Sequence, residues 1–270
     1  MTDRLKSLFD EIVLTLREDM HRQGRDTDPL RYVEEEVARW RSARESEEGI
    51  WFSLLIQMLR FGFPNFRYTH DMQPALKEHL GDFQALADMD EKGKKKLAEI
   101  EALGLNLQRV RSVTKNARTM VTLRGDFGSV VDLISSFESE EDLAAGVEEM
   151  FSYIKGRAPR EFTREMGWKK PGSSPGVRRV LSRMRDLVDG SLDLDGIVKT
   201  IEDMAAATGR SVEEIDFLLE LFAEGDDRIR MHAICGVNSA CYRCRVSDAQ
   251  CAERRYEFGT SREIVRKEQE

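Results

Sequence analysis

Apolar residues recur along most of this chain at the three- and four-residue spacing that gathers side chains on one face of an α-helix. The first such stretch, residues 3–21, ends at the polar segment 24–29. A second stretch contains Trp40 and ends at the charged segment 44–49. Residues 50–61 are apolar on nearly every side, which predicts a buried central helix rather than an amphipathic one.

The same spacing predicts helices over most of the remaining chain. They cover residues 73–80, 82–88, 91–102, 107–123, 126–137, 139–154, 175–189, 194–207 and 211–223. Glycines mark short loops between them, at Gly81, Gly104, Gly125, Gly156 and Gly190. Because no run of alternating apolar and polar residues predicts a β-strand, we expect an all-α fold.

The composition is that of an ordinary helix-rich protein. Of its 270 residues, 40% are apolar and 34% are charged, and no apolar stretch approaches the roughly 18 residues that cross a bilayer. Residues 1–11 lack the basic and then apolar pattern of a secretion signal. All four cysteines lie within one short window, which is not a disulfide framework in a chain of this size. We expect a cytoplasmic monomer without a membrane partner.

The net charge of −8 counts against a nucleic-acid partner. Proteins that bind DNA are more often basic, because neutralising phosphates supplies much of their affinity. A local basic face is still compatible with this total.

The four cysteines form the strongest chemical signal in the chain. Their spacing is Cys235-x5-Cys241-x2-Cys244-x6-Cys251, and a compact loop of this kind can bind all four irons of one [4Fe–4S] cluster. Structural zinc sites also use four cysteines, but they usually take two C-x2-C pairs from separate segments. Only one such pair is present here. The spacing therefore favours the cluster, with zinc as the alternative and unliganded cysteines as the remaining possibility.

Positive charge gathers around this loop, at Arg243, Arg245, Arg254 and Arg255. Two interpretations are open. The arginines offset the negative charge of a cluster, or they also contact phosphate groups of DNA.

An all-α chain that ends in such a loop resembles the helix-hairpin-helix DNA glycosylase superfamily, in its endonuclease III-like branch. The loop of that family has six, two and five intervening residues, against five, two and six here. Residues 52–63 (FSLLIQMLRFGF) are similar to the first core helix of the family, which leads into a loop that wedges into the DNA stack. Gly104-Leu105, followed by Arg109-Val110 and Val113, resembles its G-L-x3-K-A-x2-I segment.

The resemblance spans about residues 30–255 and implies two lobes. Residues 1–49 would form N-terminal helices that pack on the C-terminal lobe, and residues 50–154 the central lobe. A degenerate hairpin and loop would follow at 155–174, then the C-terminal lobe with the cluster loop at 175–255, and a tail at 256–270. The implied partner is double-stranded DNA with damaged or modified bases.

The hairpin of the family, L-P-G-V-G-x-K-T-A, has its best counterpart at residues 154–162. Gly156 matches the first glycine, Ala158 replaces the second, and Arg160 occupies the position of the catalytic lysine. An arginine stays protonated and cannot form the Schiff base of a lyase. The resemblance implies DNA contacts at Phe63, Gly156, Arg157, Arg160, Arg243 and Arg245. A plain helix-to-helix turn with Gly156 as the C-cap is the alternative for this segment.

The catalytic aspartate of the family has no counterpart, because Ser174 occupies its position. Ser174-Pro175 is a good helix start, but a hydroxyl cannot stabilise positive charge as a carboxylate does. Three other acids lie near enough in sequence to act instead: Glu161, Glu165 and Asp186. Lys169 and Lys170 are weak candidates for an amine nucleophile or for phosphate contacts. Trp168 would stack on an extruded base or pack on the core.

Three functions follow from these features. The first is a DNA glycosylase, with or without AP-lyase activity, that acts in base-excision repair. The second is a catalytically degenerate or repurposed DNA-binding module of the same fold. The third is an interaction protein whose cluster is structural or redox-sensing.

Overall fold

A computed structural model of the chain describes residues 2–63, 65–184, 193–247 and 250–252. Within these ranges the regular structure is almost entirely helical, with thirteen α-helices and one pair of two-residue strands. The prediction of an all-α fold is confirmed. None of the described helices is long and apolar enough to span a membrane.

The chain divides into two compact units. Unit 1 comprises residues 1–37 and 170–270, and unit 2 comprises residues 38–169. The sequence placed the central lobe at 50–154, so unit 2 is longer at both ends. The reason is packing: Ala43 near the start and Phe162 near the end are both buried in the core of unit 2. The predicted tail, 256–270, lies outside the described residues.

The helices of unit 1 come from both halves of the chain. They are α1 (Thr2–Arg22), the first half of α2 (Pro29–Ala43), α11 (Pro175–Arg183), α12 (Leu194–Thr208) and α13 (Val212–Glu224). The apolar stripe of α1, which includes Leu8, Ile12 and Leu16, is buried, and α1 packs against α12. Helix α13 packs against α11 and α12.

A small antiparallel pair follows α13, formed by β1 (Gly225–Asp226) and β2 (Met231–His232). The buried side chain of Arg228, in the turn between them, binds Asp226 and also Glu36 of α2. Tyr32 donates a hydrogen bond to Asp226 Oδ2 at 2.9 Å. Burial raises the pKa of the Tyr32 phenol well above its usual range, so it remains a donor. This network fixes the turn that leads into the cysteine loop.

Unit 2 contains the remaining helices. They are the end of α2, α3 (Glu47–Gln57), α4 (Gln73–Leu80), α5 (Phe83–Ala87), α6 (Glu91–Ala98), α7 (Leu107–Phe127), α8 (Val130–Ser135), α9 (Glu140–Met150) and α10 (Ala158–Glu165). The main contacts are of α7 with α5, α6 and α8, and of α10 with α3 and α9.

Helix α3 is the central element of unit 2. Ile50, Trp51 and Ile56 are buried on different sides of it, as the apolar pattern predicts, and the Trp51 indole donates to the Leu80 carbonyl oxygen at 2.7 Å. The predicted helix 50–61 does not stay α-helical to its end, because a π-turn begins at Met58 and runs to Gly62. Such widened turns occur often at functional sites.

Within the described residues, ten helices have a side-chain oxygen that accepts a backbone N–H at the N-terminus, which explains where they begin. The capping residues are Asp28, Ser46, Asp82, Asp90, Asn106, Ser129, Ser139, Ser174, Asp193 and Ser211.

Candidate functional site

The four cysteines face one small cavity in unit 1. Its other lining residues are Arg183, Met184, Phe222, Ile234, Ser239 and Val246. None of the four is in a disulfide, and Cys251 is buried while the other three are half-buried. The cysteine loop therefore places its four thiols on one cavity.

The end of α13 places the first cysteine. The N–H groups of Ile234 and Cys235 donate to the Phe222 carbonyl oxygen at 3.0 and 2.8 Å. The last cysteine is fixed by α11, because Cys251 forms an isolated antiparallel bridge with Met184. A 3₁₀ turn at Cys241–Arg243 lies between these anchors, and the Cys244 N–H donates to the Cys241 carbonyl oxygen at 3.1 Å.

The chemistry of this cavity fits a [4Fe–4S] cluster. Four thiols share it, and apolar side chains such as Phe222, Ile234 and Val246 supply a shell that limits access of water. Among the described residues, no three or more His, Cys, Asp or Glu side chains form a group that holds one metal ion. The preference for a cluster over zinc rests on the spacing of the cysteines.

The second half of the cysteine loop docks along α1. The Arg245 N–H donates to Thr15 Oγ1 and the Ser247 N–H to Glu11 Oε2, both at 2.8 Å. Gln250 Nε2 donates to Ser7 Oγ at 3.2 Å. Polar residues on one face of α1 thus hold the segment that precedes the last cysteine, a role that the sequence pattern does not reveal.

The arginines of the loop that the structure describes also bind α1. Arg245 Nε donates to Glu18 Oε2 at 2.7 Å, and Arg243 forms an ion pair with the fully buried Asp19. The hydrogen bond from Arg245 lowers the pKa of Glu18, and the same bond raises the pKa of Arg245. We predicted that Arg243 and Arg245 contact DNA. In this structure a phosphate would have to displace α1 carboxylates from them. Arg254 and Arg255 lie outside the described residues.

Two loops of unit 2 pack against each other. One runs from Gly62 to Tyr68 and the other from Ser152 to Arg157, and we call them the paired loops. The Phe63 and Tyr153 rings lie with their centroids 4.9 Å apart. Gly62 is required here, since a Cβ at this position would lie 2.2 Å from the Tyr153 carbonyl oxygen. The first loop begins at the end of residues 52–63, which resemble the core helix that leads into the DNA wedge. The second overlaps residues 154–162, the counterpart of the hairpin.

Asn116 of α7 anchors the second of the paired loops. Its Nδ2 donates to the Ser152 carbonyl oxygen at 2.7 Å, and its Oδ1 accepts the Ser152 N–H at 2.9 Å. The same Nδ2 lies 3.0 Å from the sulfur of Met58, the first residue of the π-turn. An asparagine among the buried positions of α7 is a sequence signal for such an anchor.

The backbone of the paired loops is strained. Tyr153 has φ of 66° and Asn65 of 62°, a left-handed region that is unusual for a residue as bulky as tyrosine. Strain of this kind persists where the surrounding structure enforces it, and it gathers at functional sites. The Tyr153 side chain is 39% exposed, so its ring is available at the surface.

The predicted DNA contacts in unit 2 have different surroundings. Phe63 is only 7% exposed and packs on Tyr153, so it supports the surface rather than forming it. Arg157 and Arg160 are exposed, and Arg157 lies 3.6 Å from Glu161. Gly156 has φ of +66°, with nothing within 4 Å of a Cβ added there. It is not the C-cap of α9, because that helix ends at Met150 and has Phe151 as its C-cap.

The candidates for catalysis are held in structural interactions. Ser174 is the N-cap of α11, and its Oγ accepts the Gly176 N–H at 3.2 Å. The buried Glu165 carboxylate accepts two hydrogen bonds from Arg39, at 3.0 and 3.1 Å, and one from Gln57 at 2.7 Å. Glu161 pairs with Arg164. Asp186 lies outside the described residues.

The loop 167–176 contains Trp168, Lys169 and Lys170, for which the sequence left two roles open. Trp168 is half-buried and packs against the core of unit 2, rather than standing free to stack on a base. Lys169 is half-buried and Lys170 is exposed. The exposure of Lys170 suits a solvated contact better than a desolvated nucleophile.

Comparison with protein-family models, with curated proteins and with solved structures found no match. The resemblance to the helix-hairpin-helix glycosylases therefore rests on the sequence motifs and stays a prediction.

Proposed function

We propose that this chain is a DNA-binding iron–sulfur protein related to the helix-hairpin-helix glycosylases. Unit 2 would bind duplex DNA through the paired loops, and unit 1 would hold a [4Fe–4S] cluster on Cys235, Cys241, Cys244 and Cys251. The observation that carries the DNA part is the contact of Phe63 with Tyr153. It joins two distant segments in which the family resemblance implies DNA contact.

The charge of unit 2 supports this proposal despite the acidic total. Residues 91–124, which form α6 and most of α7, contain nine Lys and Arg but only three Glu, whereas the whole chain carries −8. Helices α6 and α7 pack together. At the start of α7 the Arg109 guanidinium lies over the Phe63 and Phe66 rings, at 5.6 and 5.2 Å. A basic helix pair thus adjoins the first of the paired loops, as phosphate neutralisation needs.

The paired loops contain the groups that such binding uses. Lys155 and Arg157 are exposed beside Gly156, where the backbone has no side chain to hold a phosphate away. The Tyr153 ring is partly exposed, and aromatic rings stack on bases that have left the duplex. Damaged or modified sites are recognised in this way because their bases unstack at lower cost.

In unit 1, Cys235, Cys241, Cys244 and Cys251 would be the ligands. When bound, the cluster supplies a covalent link between the end of α13, the 3₁₀ turn and the bridge to α11. The loop in turn docks on α1 through Arg245 and Ser247. The cluster would therefore act first as a structural element of unit 1.

Base excision is the second candidate function. The resemblance to the glycosylase family suggests it, but Ser174 caps α11 at the position of the family's aspartate and supplies no carboxylate. Excision would need a carboxylate near the sugar. Glu165 is paired with Arg39, and Glu161 is paired with Arg164. We therefore favour recognition of modified or distorted DNA without base release.

Two measurements test the proposal. Iron and sulfide analysis of anaerobically purified protein should give four of each per chain, whereas one zinc and no sulfide would contradict the cluster. Fluorescence anisotropy should show binding to a duplex with an abasic-site analogue, and log affinity should fall steeply with log salt. Lys155→Ala should weaken binding and reduce the salt slope by about 1. Lys199→Ala, an exposed lysine of α12, should not.

The same preparation separates the remaining candidates. Release of free base from a panel of oxidised, alkylated and deaminated duplexes would establish the glycosylase and overturn the non-catalytic assignment. No binding to any duplex at low salt would remove both DNA functions and leave an interaction protein.

A further inference from the structure

Arg183, the last residue of α11, is buried against the first half of the cysteine loop. Its side chain is in the same cavity as the four cysteines. Nη1 lies 3.0 Å from the Gly236 carbonyl oxygen, 3.3 Å from that of Cys235 and 3.4 Å from Cys235 Sγ, and it also contacts Ser239 Oγ. The residue is only 9% exposed.

The backbone of Arg183 holds the other end of the same loop. Its carbonyl oxygen accepts the Ala252 N–H at 2.7 Å, and the next residue, Met184, forms the bridge with Cys251. One position therefore contacts the residues around both the first and the last cysteine. A guanidinium suits this role because its planar fork presents five donors in fixed directions.

The charge of Arg183 matters as much as its hydrogen bonds. A buried cation is costly unless negative charge lies near it, and thiolate ligands would bring negative charge into this cavity. Donors to ligand sulfurs and nearby positive charge both adjust the potential of an iron–sulfur cluster. They stabilise the reduced form more than the oxidised form, since one added electron makes the ligand sulfurs more negative.

We propose that Arg183 is a positioning residue for the cluster: it seats Cys235 and raises the reduction potential of the bound [4Fe–4S] group. This inference rests on the cluster proposed above. It adds a specific determinant outside the cysteine motif, more than fifty residues before Cys235 in the chain.

The test uses cluster-replete full-length protein and three variants. Arg183→Met removes the charge and the donors. Arg183→Lys keeps the charge but lacks the planar guanidinium with its fixed donor directions. Arg178→Met is the matched control, since Arg178 is on the same helix but donates to Gly172 and does not line the cavity. The readouts are the midpoint potential at an electrode, which supplies the electron, and the rate of iron loss to a chelator.

We expect Arg183→Met to shift the midpoint potential to more negative values and to lose iron about tenfold faster. Arg183→Lys should keep a potential closer to that of the wild type but still lose iron faster, and Arg178→Met should match the wild type in both. If Arg183→Met does not retain a cluster, the test of Arg183 is the rate at which Arg183→Lys loses iron, compared with the rate of the wild type.

The outcomes separate this inference from the proposed function. Wild-type potential and wild-type iron loss in the Arg183 variants, with a cluster present in the wild type, would overturn the role of Arg183 alone. A wild-type protein without iron and sulfide would overturn the cluster itself, and the role of Arg183 with it.

Discussion

Asn116 and Ser152 form a closed pair of hydrogen bonds: the asparagine amide donates to the Ser152 carbonyl oxygen and accepts the Ser152 N–H. Asn116 is 3% exposed, so the pair links the buried face of α7 to one of the paired loops. The strained Tyr153 follows immediately in the chain. The proposed DNA surface thus depends on a single buried amide in the core of unit 2.

Replacing Asn116 by Ala should destabilise unit 2 by about 2 kcal/mol, because two backbone groups of Ser152 lose their partners. DNA affinity should fall as well, since the loop that presents Tyr153 is no longer held. Urea denaturation and anisotropy measure the two effects. Retention of full affinity in a folded Asn116→Ala protein would show that the anchor does not serve DNA binding.

Tyr153 tests the surface without disturbing its anchor. Tyr153→Ala should weaken binding to an abasic-site duplex about tenfold, the amount expected for the loss of one stacked base. Tyr153→Phe keeps the ring and should bind as the wild type does. Equal affinities of all three proteins would exclude stacking by this side chain.

Glu91 limits the positive charge of the α6–α7 face. It accepts hydrogen bonds from Lys94 at 2.8 Å and from Arg111 at 2.7 Å, and these bonds lower its pKa to about 2. Glu91→Gln should release both cations and strengthen DNA binding about threefold at low salt, with a steeper salt dependence.

The pKa of Glu91 also fixes the pH dependence of that gain. Because the pKa is lowered to about 2, the Glu91 carboxylate is charged at every pH above the usual glutamate value near 4. Its ion pairs are lost only as the pH falls toward 2. The difference in affinity between Glu91→Gln and wild type should therefore be constant from pH 8 to pH 5. A difference that shrinks within this window would contradict the assignment.

Loss of the proposed cluster should affect α1, because the second half of the cysteine loop docks there. In Cys244→Ser, hydrogen exchange should accelerate in α1 and in residues 241–247, while α7 in unit 2 exchanges as before. Ser7→Ala removes one contact of the loop with α1 and leaves the thiols intact, so it serves as the control. Unchanged exchange in α1 without the cluster would show that the two are not coupled.

Most of the helices can be predicted from the sequence, because the apolar residues that each helix buries recur at a regular spacing within one short segment. Residues 3–21 were predicted as a helix and α1 covers Thr2–Arg22, and 194–207 corresponds to α12. The loop predicted at Gly125 is wrong, because α7 continues through this residue. The helix ends before Gly128, which has φ of 78°. The strands β1 and β2 have two residues each, too few for any alternation to appear.

The site was less predictable because it depends on contacts between distant segments. Cysteine spacing predicts a metal site, but nothing near the cysteines in sequence points to Arg183. The ion pair of Arg243 with Asp19 joins residues from opposite ends of the chain. The left-handed Tyr153 likewise lies against Gly62 and follows Ser152, which binds Asn116, so its surroundings come from distant parts of the chain.

Photo-crosslinking from Tyr153 tests the central claim most directly. A benzophenone side chain at position 153 is compared with one at Phe127, which is exposed at the end of α7, about 16 Å along the helix from Asn116. We predict crosslinks to an abasic-site duplex from position 153 and not from position 127. Crosslinks from 127 alone, or equally from both positions, would show that DNA does not bind at the paired loops.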